Sequence, residues 1–268
     1  MKGRTVLKYL KYLLGAAVLC AVVGVLIPTA TQLHRDSDNT IETAINNSAV
    51  AIQNEISERL ELSEIGGTEQ VAVREDSRKA AVRVVTPSGR GSGTYFKVGG
   101  YHIVVTAQHV IDDNPVVIIE GRNGETVYGE PILRGIGTDV AVVLIPEMNS
   151  REPLKYRPLP APRNHERLIG RRVTYTGYPA SHDLMTIDGQ VAGYENGHVI
   201  IHSYGWPGSS GSGVFDMRGR LIGVVSAVDI GRWNWMIPPQ LVEDIVWVAP
   251  VWDIKETDIA AYLRARGE

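Results

Sequence analysis

Gly208-Ser209-Ser210-Gly211-Ser212-Gly213-Val214-Phe215 is the stretch of sequence that decides the fold. It places serines among glycines immediately before a run that reads as the start of a β-strand. Glycine allows the backbone to turn sharply and to approach another group closely. Ser210 is therefore expected in a tight turn. A Gly-Ser segment by itself is most often only a turn, so its meaning depends on the rest of the chain.

Two further blocks precede this stretch. Thr106-Ala107-Gln108-His109-Val110 ends one strand-like run, and Thr138-Asp139-Val140-Ala141-Val142-Val143 opens another. Taken singly, His109 reads as a core histidine and Asp139 as a residue that caps a strand. The chain order His, Asp, Ser differs from that of the α/β-hydrolases, in which the serine comes first within a Gly-x-Ser-x-Gly turn. That turn is missing here, because Ser212 stands two positions after Ser210.

The sequence from Ala80 onward has the texture of an all-β domain. Short β-branched runs alternate with Gly, Pro, Asn and Asp, and no long helical pattern separates them, which indicates an antiparallel sandwich or barrel. A Pro- and Arg-rich connector at about 146–169 divides the runs into two groups of six. The runs are 82–85, 93–97, 102–106, 115–120, 125–133 and 140–145, then 172–178, 185–192, 198–202, 213–216, 221–226 and 233–237.

The three blocks in this order, with twelve strand-like runs, resemble the chymotrypsin-fold (trypsin-like) serine peptidases, and most of all the bacterial Deg or high-temperature-requirement type. The resemblance implies an all-β fold of two six-stranded antiparallel barrels, at 78–150 and 151–250, followed by a helix or tail at 251–268. Too few residues follow Ile245 for the PDZ domain that often follows Deg-type protease domains. Such a domain is therefore not expected.

The same resemblance assigns the catalytic chemistry. His109 would act as the general base, Asp139 would orient its ring, and Ser210 would be the nucleophile, because a serine hydroxyl needs a base to react near neutral pH. The backbone N–H groups of Gly208 and Ser210 would form the oxyanion hole. The activity implied is that of a serine endopeptidase without a cofactor. The alternatives are a catalytically inactive trypsin-fold binding module and a membrane-tethered scaffold.

The resemblance also locates a substrate pocket, between the residues before the nucleophile and the strand after it. Neither segment contains an acidic residue that could pair with a Lys or Arg of the substrate, so an apolar or small side chain is expected there. The residues assigned to substrate binding are Tyr204, Trp206, Ser226, Ala227 and Val228.

The N-terminal 67 residues have a different pattern. Within 1–35, four cations precede the uncharged run 12–27, which with a few flanking residues matches the roughly 20 residues that span a bilayer. A single-pass anchor with a cytoplasmic N-terminus is expected, with a cleaved signal peptide or a buried helix as alternatives. Residues 36–67 predict an amphipathic helical stalk, whose apolar stripe in 38–64 would join copies of the chain, pack on the domain or lie on the membrane.

The composition of the chain excludes several other classes of function. The formal net charge of the 268 residues is −3, so the chain lacks the basic excess typical of nucleic-acid binding. Its one cysteine, Cys20, excludes an intrachain disulfide, which favours a bacterial or viral extracytoplasmic protein over an animal secreted enzyme. His198 and His202 share a strand face, but no third ligand is in register, so no metal site is predicted. Polypeptides are the expected partners.

Overall fold

A computed structural model describes residues 70–135, 137–231 and 240–265 of the chain. Residues 70–80 are helical, helix α1 is Gln108–Ile111 and helix α2 is Glu256–Ala265. The first group of strands is β1 (Ala81–Thr86), β2 (Gly89–Val98), β3 (Tyr101–Thr106), β4 (Val117–Glu120), β5 (Thr126–Arg134), β6 (Ala141–Ile145) and β7 (Leu154–Lys155). The second group is β8 (Arg172–Gly177), β9 (Met185–Glu195), β10 (His198–Ser203), β11 (Gly213–Asp216), β12 (Leu221–Gly231) and β13 (Gln240–Pro250).

The first barrel is a closed antiparallel ring in the order β1-β4-β5-β6-β3-β2. Pairing of β1 with β2 closes the ring, with Ala81 opposite Thr94 and Thr86 opposite Gly89. The two-residue strand β7 pairs with β2 in parallel, outside the ring. In this barrel the end of β3 lies next to the start of β6, because Thr106 pairs with Ala141. The histidine and aspartate blocks are thereby brought side by side.

The second barrel is a closed ring in the order β10-β13-β12-β11-β8-β9. The loop that carries Ser210 leads into β11, which pairs with β8 and with β12. The segment between the barrels is tied to the second one through Leu221, whose N–H donates to the Arg157 carbonyl and whose own carbonyl accepts from Leu159 N–H. The predicted all-β fold of two six-stranded antiparallel barrels is confirmed.

Eleven of the twelve predicted runs overlap an observed strand. The twelfth, 233–237, lies outside the described residues, and the strand that completes the second barrel is β13. The helical segment 70–80 was not predicted as an element. Its buried residues, Gln70, Val73, Ser77 and Ala80, recur every three or four positions, which is the helical period.

Alternating burial along the strands fills each barrel with β-branched and aromatic side chains, as in β1 and β4. The core of the first barrel contains Tyr95, Phe96 and Tyr156, all almost fully buried. It also includes Ile259 and Leu263, so α2 packs on it. Tyr262, between these two residues in α2, is 46% exposed.

The predicted anchor within 1–35 and the predicted stalk 36–67 lie outside the described residues. Within the part of the chain that the structure describes, no helix is both long and apolar enough to cross a bilayer.

Candidate active site

His109 lies in the short helix α1, immediately after β3. Its backbone N–H donates to Asp139 Oδ1 at 2.9 Å, and its ring Nδ1 lies 2.7 Å from Asp139 Oδ2. Two contacts to one carboxylate fix both the backbone and the ring of the histidine. The His109 side chain is 49% exposed, so the opposite edge of the ring is accessible to a substrate.

Asp139 precedes β6 and is the more buried partner, with 21% of its side chain exposed. It accepts a third hydrogen bond, from Ser226 Oγ at 2.6 Å. Burial alone would raise the pKa of Asp139, but the hydrogen bonds from His109 and Ser226 outweigh burial, and the pKa lies below its usual value. The carboxylate is therefore ionised at neutral pH and can only accept hydrogen bonds.

Ser210 is held between the two barrels through its own backbone. Its carbonyl accepts from Ser92 N–H of the first barrel at 2.7 Å, and the next N–H, of Gly211, donates to Val225 O of the second at 2.7 Å. Val225 precedes Ser226, the residue that contacts Asp139. These bonds place Ser210 in the same corner as the His109–Asp139 pair. Ser210 Oγ and His109 make no direct hydrogen bond, as is common before substrate binds.

The peptide bond between Pro207 and Gly208 determines the direction of the Gly208 N–H, which was expected to belong to the oxyanion hole. The Pro207 carbonyl accepts from Ala180 N–H at 2.8 Å, and the described residues contain no cis peptide. In a trans peptide the N–H is opposite to the carbonyl. The Gly208 N–H therefore points away from Ala180, and it has no acceptor among the described residues. Gly208 has a φ of 101°, which favours glycine.

Ser92 is a residue of this site that was not predicted from the sequence. Its hydroxyl donates to the Gly208 carbonyl at 2.7 Å and accepts from Tyr178 N–H at 3.0 Å. Its own carbonyl accepts from Thr106 Oγ1 at 2.7 Å. Ser92 is fully buried and holds the carbonyls of Gly208 and Ser210. Both residues belong to the segment 207–210, the expected oxyanion loop. The Gly-Ser-Gly sequence at 91–93 is the signal that could have identified it.

The residues assigned to substrate binding have different surroundings. Tyr204 is 41% exposed, and its carbonyl accepts from the buried hydroxyl of Tyr175. Ala227 is exposed and Trp206 is half-buried. Val228 lies against Gly205 so closely that a side chain at position 205 would meet it. The Ser226 hydroxyl donates a hydrogen bond to Asp139 and so supports the aspartate.

The two histidines on β10 each have a neighbour on β13. His202 Nε2 lies 3.6 Å from Asp244 Oδ2, and the His198 ring packs edge-on against Trp247 with 5.6 Å between centroids. Across 70–135, 137–231 and 240–265, no three His, Cys, Asp or Glu side chains gather as a metal would require.

Comparison with known proteins gives a family and a fold. The profile of the trypsin-like peptidase domain matches residues 91–224. Rv3671c protease of Mycobacterium tuberculosis, in its inactive form, superposes with a TM-score of 0.51 and 16% identity, over 73% of this chain and 93% of that one. The serine endoprotease from Yersinia pestis gives a TM-score of 0.50 and 21% identity, over 72% and 64%. No curated protein sequence matches.

Proposed function

We propose that this serine endopeptidase, which belongs to the family of trypsin-like peptidase domains, cleaves polypeptides with His109, Asp139 and Ser210 as its catalytic triad. The observation that carries the assignment is the contact between His109 Nδ1 and Asp139 Oδ2 at 2.7 Å, in the same corner as the Ser210 turn. A carboxylate that only accepts requires the hydrogen to be on Nδ1. The Nε2 lone pair is then available as a base.

The proposed reaction follows from this arrangement. Nε2 of His109 takes the hydroxyl proton as Ser210 Oγ attacks the substrate carbonyl carbon, and Asp139 stabilises the imidazolium that results. The carbonyl oxygen becomes an oxyanion that accepts hydrogen bonds from the N–H groups of Gly208 and Ser210. His109 returns the proton to the leaving amine, which breaks the peptide bond and leaves an acyl group on Ser210. Water then releases the acyl group by the same steps.

A fluorophosphonate probe tests the triad, because it labels only an activated serine. Wild-type protein should be labelled and Ser210→Ala should not. Ser212→Ala, two residues further on, is the matched control and should keep the label. His109→Ala should lower the labelling rate by orders of magnitude, since the base is gone. Labelling that persists in Ser210→Ala would refute the assignment of the nucleophile.

The acyl side of the cleft should prefer a small or apolar residue. Support comes from the absence of acidic residues in 203–207 and 226–228 and from the close approach of Val228 to Gly205. A carboxylate at the base of this pocket would be needed to attract Lys or Arg. A peptide library should therefore be cleaved after small or apolar residues, and cleavage mainly after Lys or Arg would refute this preference.

The protease domain should lie outside the cytoplasm on a membrane anchor within 1–35, joined by the stalk 36–67. Support comes from the uncharged run 12–27, the cations before it and the apolar stripe in 38–64. Membrane fractionation of the full chain, with and without alkaline wash, tests the anchor. Loss of the protein from the membrane on washing would contradict it. Analytical ultracentrifugation of the detergent-solubilised chain tests self-association through the stalk.

A further inference from the structure

A cavity lined by four arginines lies next to Tyr178. It has a volume of about 570 Å³, and we call it the arginine cavity. The four arginines are separated along the sequence, and the fold gathers them: Arg78, Arg83, Arg122 and Arg151.

The carboxylates that line the cavity balance the charges of its four arginines only in part. Glu120 and Asp183 also line the cavity, but within the described part of the chain neither forms an ion pair with any of the four arginines. The hydrogen bonds of the arginines go to neutral oxygens: carbonyls at 78, 182 and 184 and hydroxyls at 178 and 186. Four positive groups against two negative ones leave an excess of positive charge.

Two guanidinium groups converge on one acceptor. The Arg78 carbonyl accepts from Arg122 at 3.2 Å and from Arg151 at 3.0 Å. Like charges this close repel each other, and this repulsion contributes to a pKa of Arg151 below its usual value. Burial lowers that pKa, and the charges of Arg122 and Arg78 lower it further. An anion in the cavity would relieve this repulsion.

Arg151 is the buried member of the group. Only 5% of the residue is exposed, and its Nε has no hydrogen-bond partner. A buried cation without a counter-ion is costly for the folded state. A guanidinium pairs well with a carboxylate or a phosphate, so an anionic ligand in the cavity would offset this cost.

The arginine cavity continues toward the reacting groups. A second cavity of about 300 Å³ shares Arg83 and Tyr178 with it and reaches Pro207 and Gly208 of the oxyanion loop. Arg83 lies over the Tyr178 ring, 4.4 Å from its centroid. Arg90 also lines this second cavity, and no carboxylate does. A polypeptide in the cleft can therefore reach both cavities.

The position of the two cavities identifies the part of the substrate that would reach them. The pocket expected for the acyl part of the substrate is lined by 226–228 of β12. On this side of Ser210, the Gly211 N–H donates a hydrogen bond to the Val225 carbonyl. The second cavity is instead lined by Arg90 and Gly91 of β2. It lies on the opposite side of Ser210, where the Ser210 carbonyl accepts a hydrogen bond from the Ser92 N–H. What passes over β2 is therefore the part of the substrate that leaves after the first chemical step.

We propose that the arginine cavity binds a carboxylate of the substrate, so that this enzyme favours polypeptides with acidic residues shortly after the cleaved bond. The proposal rests on the proposed endopeptidase function. A guanidinium binds a carboxylate or a phosphate through paired hydrogen bonds, so a free phosphate ion shares the recognition chemistry and should compete for the cavity. Selection between substrates then depends on residues far from the acyl pocket.

Matched peptides test the proposal. Each pair differs only by Glu or Gln at the second to fourth positions after the cleaved bond, and kcat/KM is measured for the full chain. Wild type should favour the Glu peptides by roughly three- to tenfold, as expected for pairs between exposed and half-buried charges. Arg83→Gln and Arg122→Gln should bring that ratio close to one. Arg163→Gln, an exposed arginine away from both cavities, should keep it. Arg151 is avoided because its removal endangers folding.

Two further measurements make the result decisive. Inorganic phosphate, at constant ionic strength, should inhibit cleavage of the Glu peptides more than that of the Gln peptides. Fluorescence anisotropy of labelled, uncleaved peptides should show the same Glu preference even if no peptide is hydrolysed, which separates this proposal from the endopeptidase function. Equal ratios in wild type, Arg122→Gln and Arg163→Gln would overturn it. Phosphate binding without any Glu preference would overturn it as well, because the cavity would then serve free anions only.

Discussion

Replacing Ser92 by alanine removes a hydroxyl that no substrate touches, yet it should slow the reaction. The hydroxyl bonds the Gly208 carbonyl at 2.7 Å and the Tyr178 N–H at 3.0 Å, and Ser92 is fully buried. In Ser92→Ala both backbone groups lose their partner without access to water. Each unsatisfied buried group costs about 1–3 kcal/mol, so the loss of two partners should lower the free energy of unfolding by about 2–6 kcal/mol.

The effect on rate comes from the oxyanion loop. Without Ser92 Oγ, the Gly208 carbonyl loses the hydrogen bond that fixes the Gly208–Ser209 peptide. The Gly208 N–H should then spend less time in the position proposed to receive the oxyanion. One such donor contributes about 10²–10³ in kcat. A donor that is misaligned for part of the time should therefore lower kcat by about 10- to 100-fold. KM should change by less than about twofold, because the lost interaction forms mainly in the transition state.

The assay compares Ser92→Ala with Ser77→Ala, using peptide hydrolysis and urea unfolding. Ser77 is also buried and its hydroxyl also makes two hydrogen bonds, to Arg74 O and Thr176 Oγ1, away from the oxyanion loop. Both variants should lose stability, but only Ser92→Ala should lose kcat. A peptidyl boronate, whose tetrahedral adduct carries a negative charge, should bind Ser92→Ala more weakly by a similar factor. If the two variants hydrolyse peptides at equal rates, Ser92 has no positioning role.

Three other changes should have separable effects. Asp139→Asn should lower kcat by about 10⁴ at neutral pH, because an amide can hold the wrong tautomer of His109; a normal rate would remove Asp139 from the triad. Ser226→Ala should raise the pKa of Asp139, since one of its three hydrogen bonds is lost. The stability that this lowered pKa contributes is present above the unfolded value of about 3.9 and is lost as pH falls through the folded value. Circular dichroism should therefore show acid unfolding of Ser226→Ala beginning at a higher pH than that of wild type, and coincident curves would contradict the argument. Leu263→Ala should lower the free energy of unfolding by about 2–5 kcal/mol, because Leu263 is fully buried in α2, whereas exposed Arg264→Ala should stay within about 0.5 kcal/mol. Urea unfolding that does not separate these two would show that α2 adds nothing to the core.

The local pattern was sufficient to predict most of the strands, because half-buried strands alternate or run apolar between Gly, Pro, Asn and Asp. It failed where a pattern was short or interrupted. Helix α1 has four residues, too few for a helical period, and β13 carries Glu243 and Asp244 in its middle. β12 continues to Gly231, beyond the predicted end at Ser226, because it pairs with β13 over that length.

Some residues of the candidate site could likewise be predicted from the sequence, and others could not. His109, Asp139 and Ser210 lie in recognisable blocks, so the resemblance to the trypsin-like peptidases was enough to predict that they lie near one another. The roles of Ser92, Ala180 and Ser226 could not, since each depends on a hydrogen bond between segments distant in sequence. The arginine cavity is the extreme case: Arg78 and Arg151 are 73 positions apart and meet only after folding.

The packing of α2 on the first barrel has a consequence for how the protein is made. Ile259 and Leu263 belong to the core of that barrel, although its strands are translated far earlier. The earlier half of the domain cannot complete its interior until residue 263 has emerged from the ribosome. Contacts between such distant parts of a chain also form slowly. A nascent chain therefore cannot assemble its cleft early, and peptide-bond cleavage is postponed until synthesis of the domain is finished.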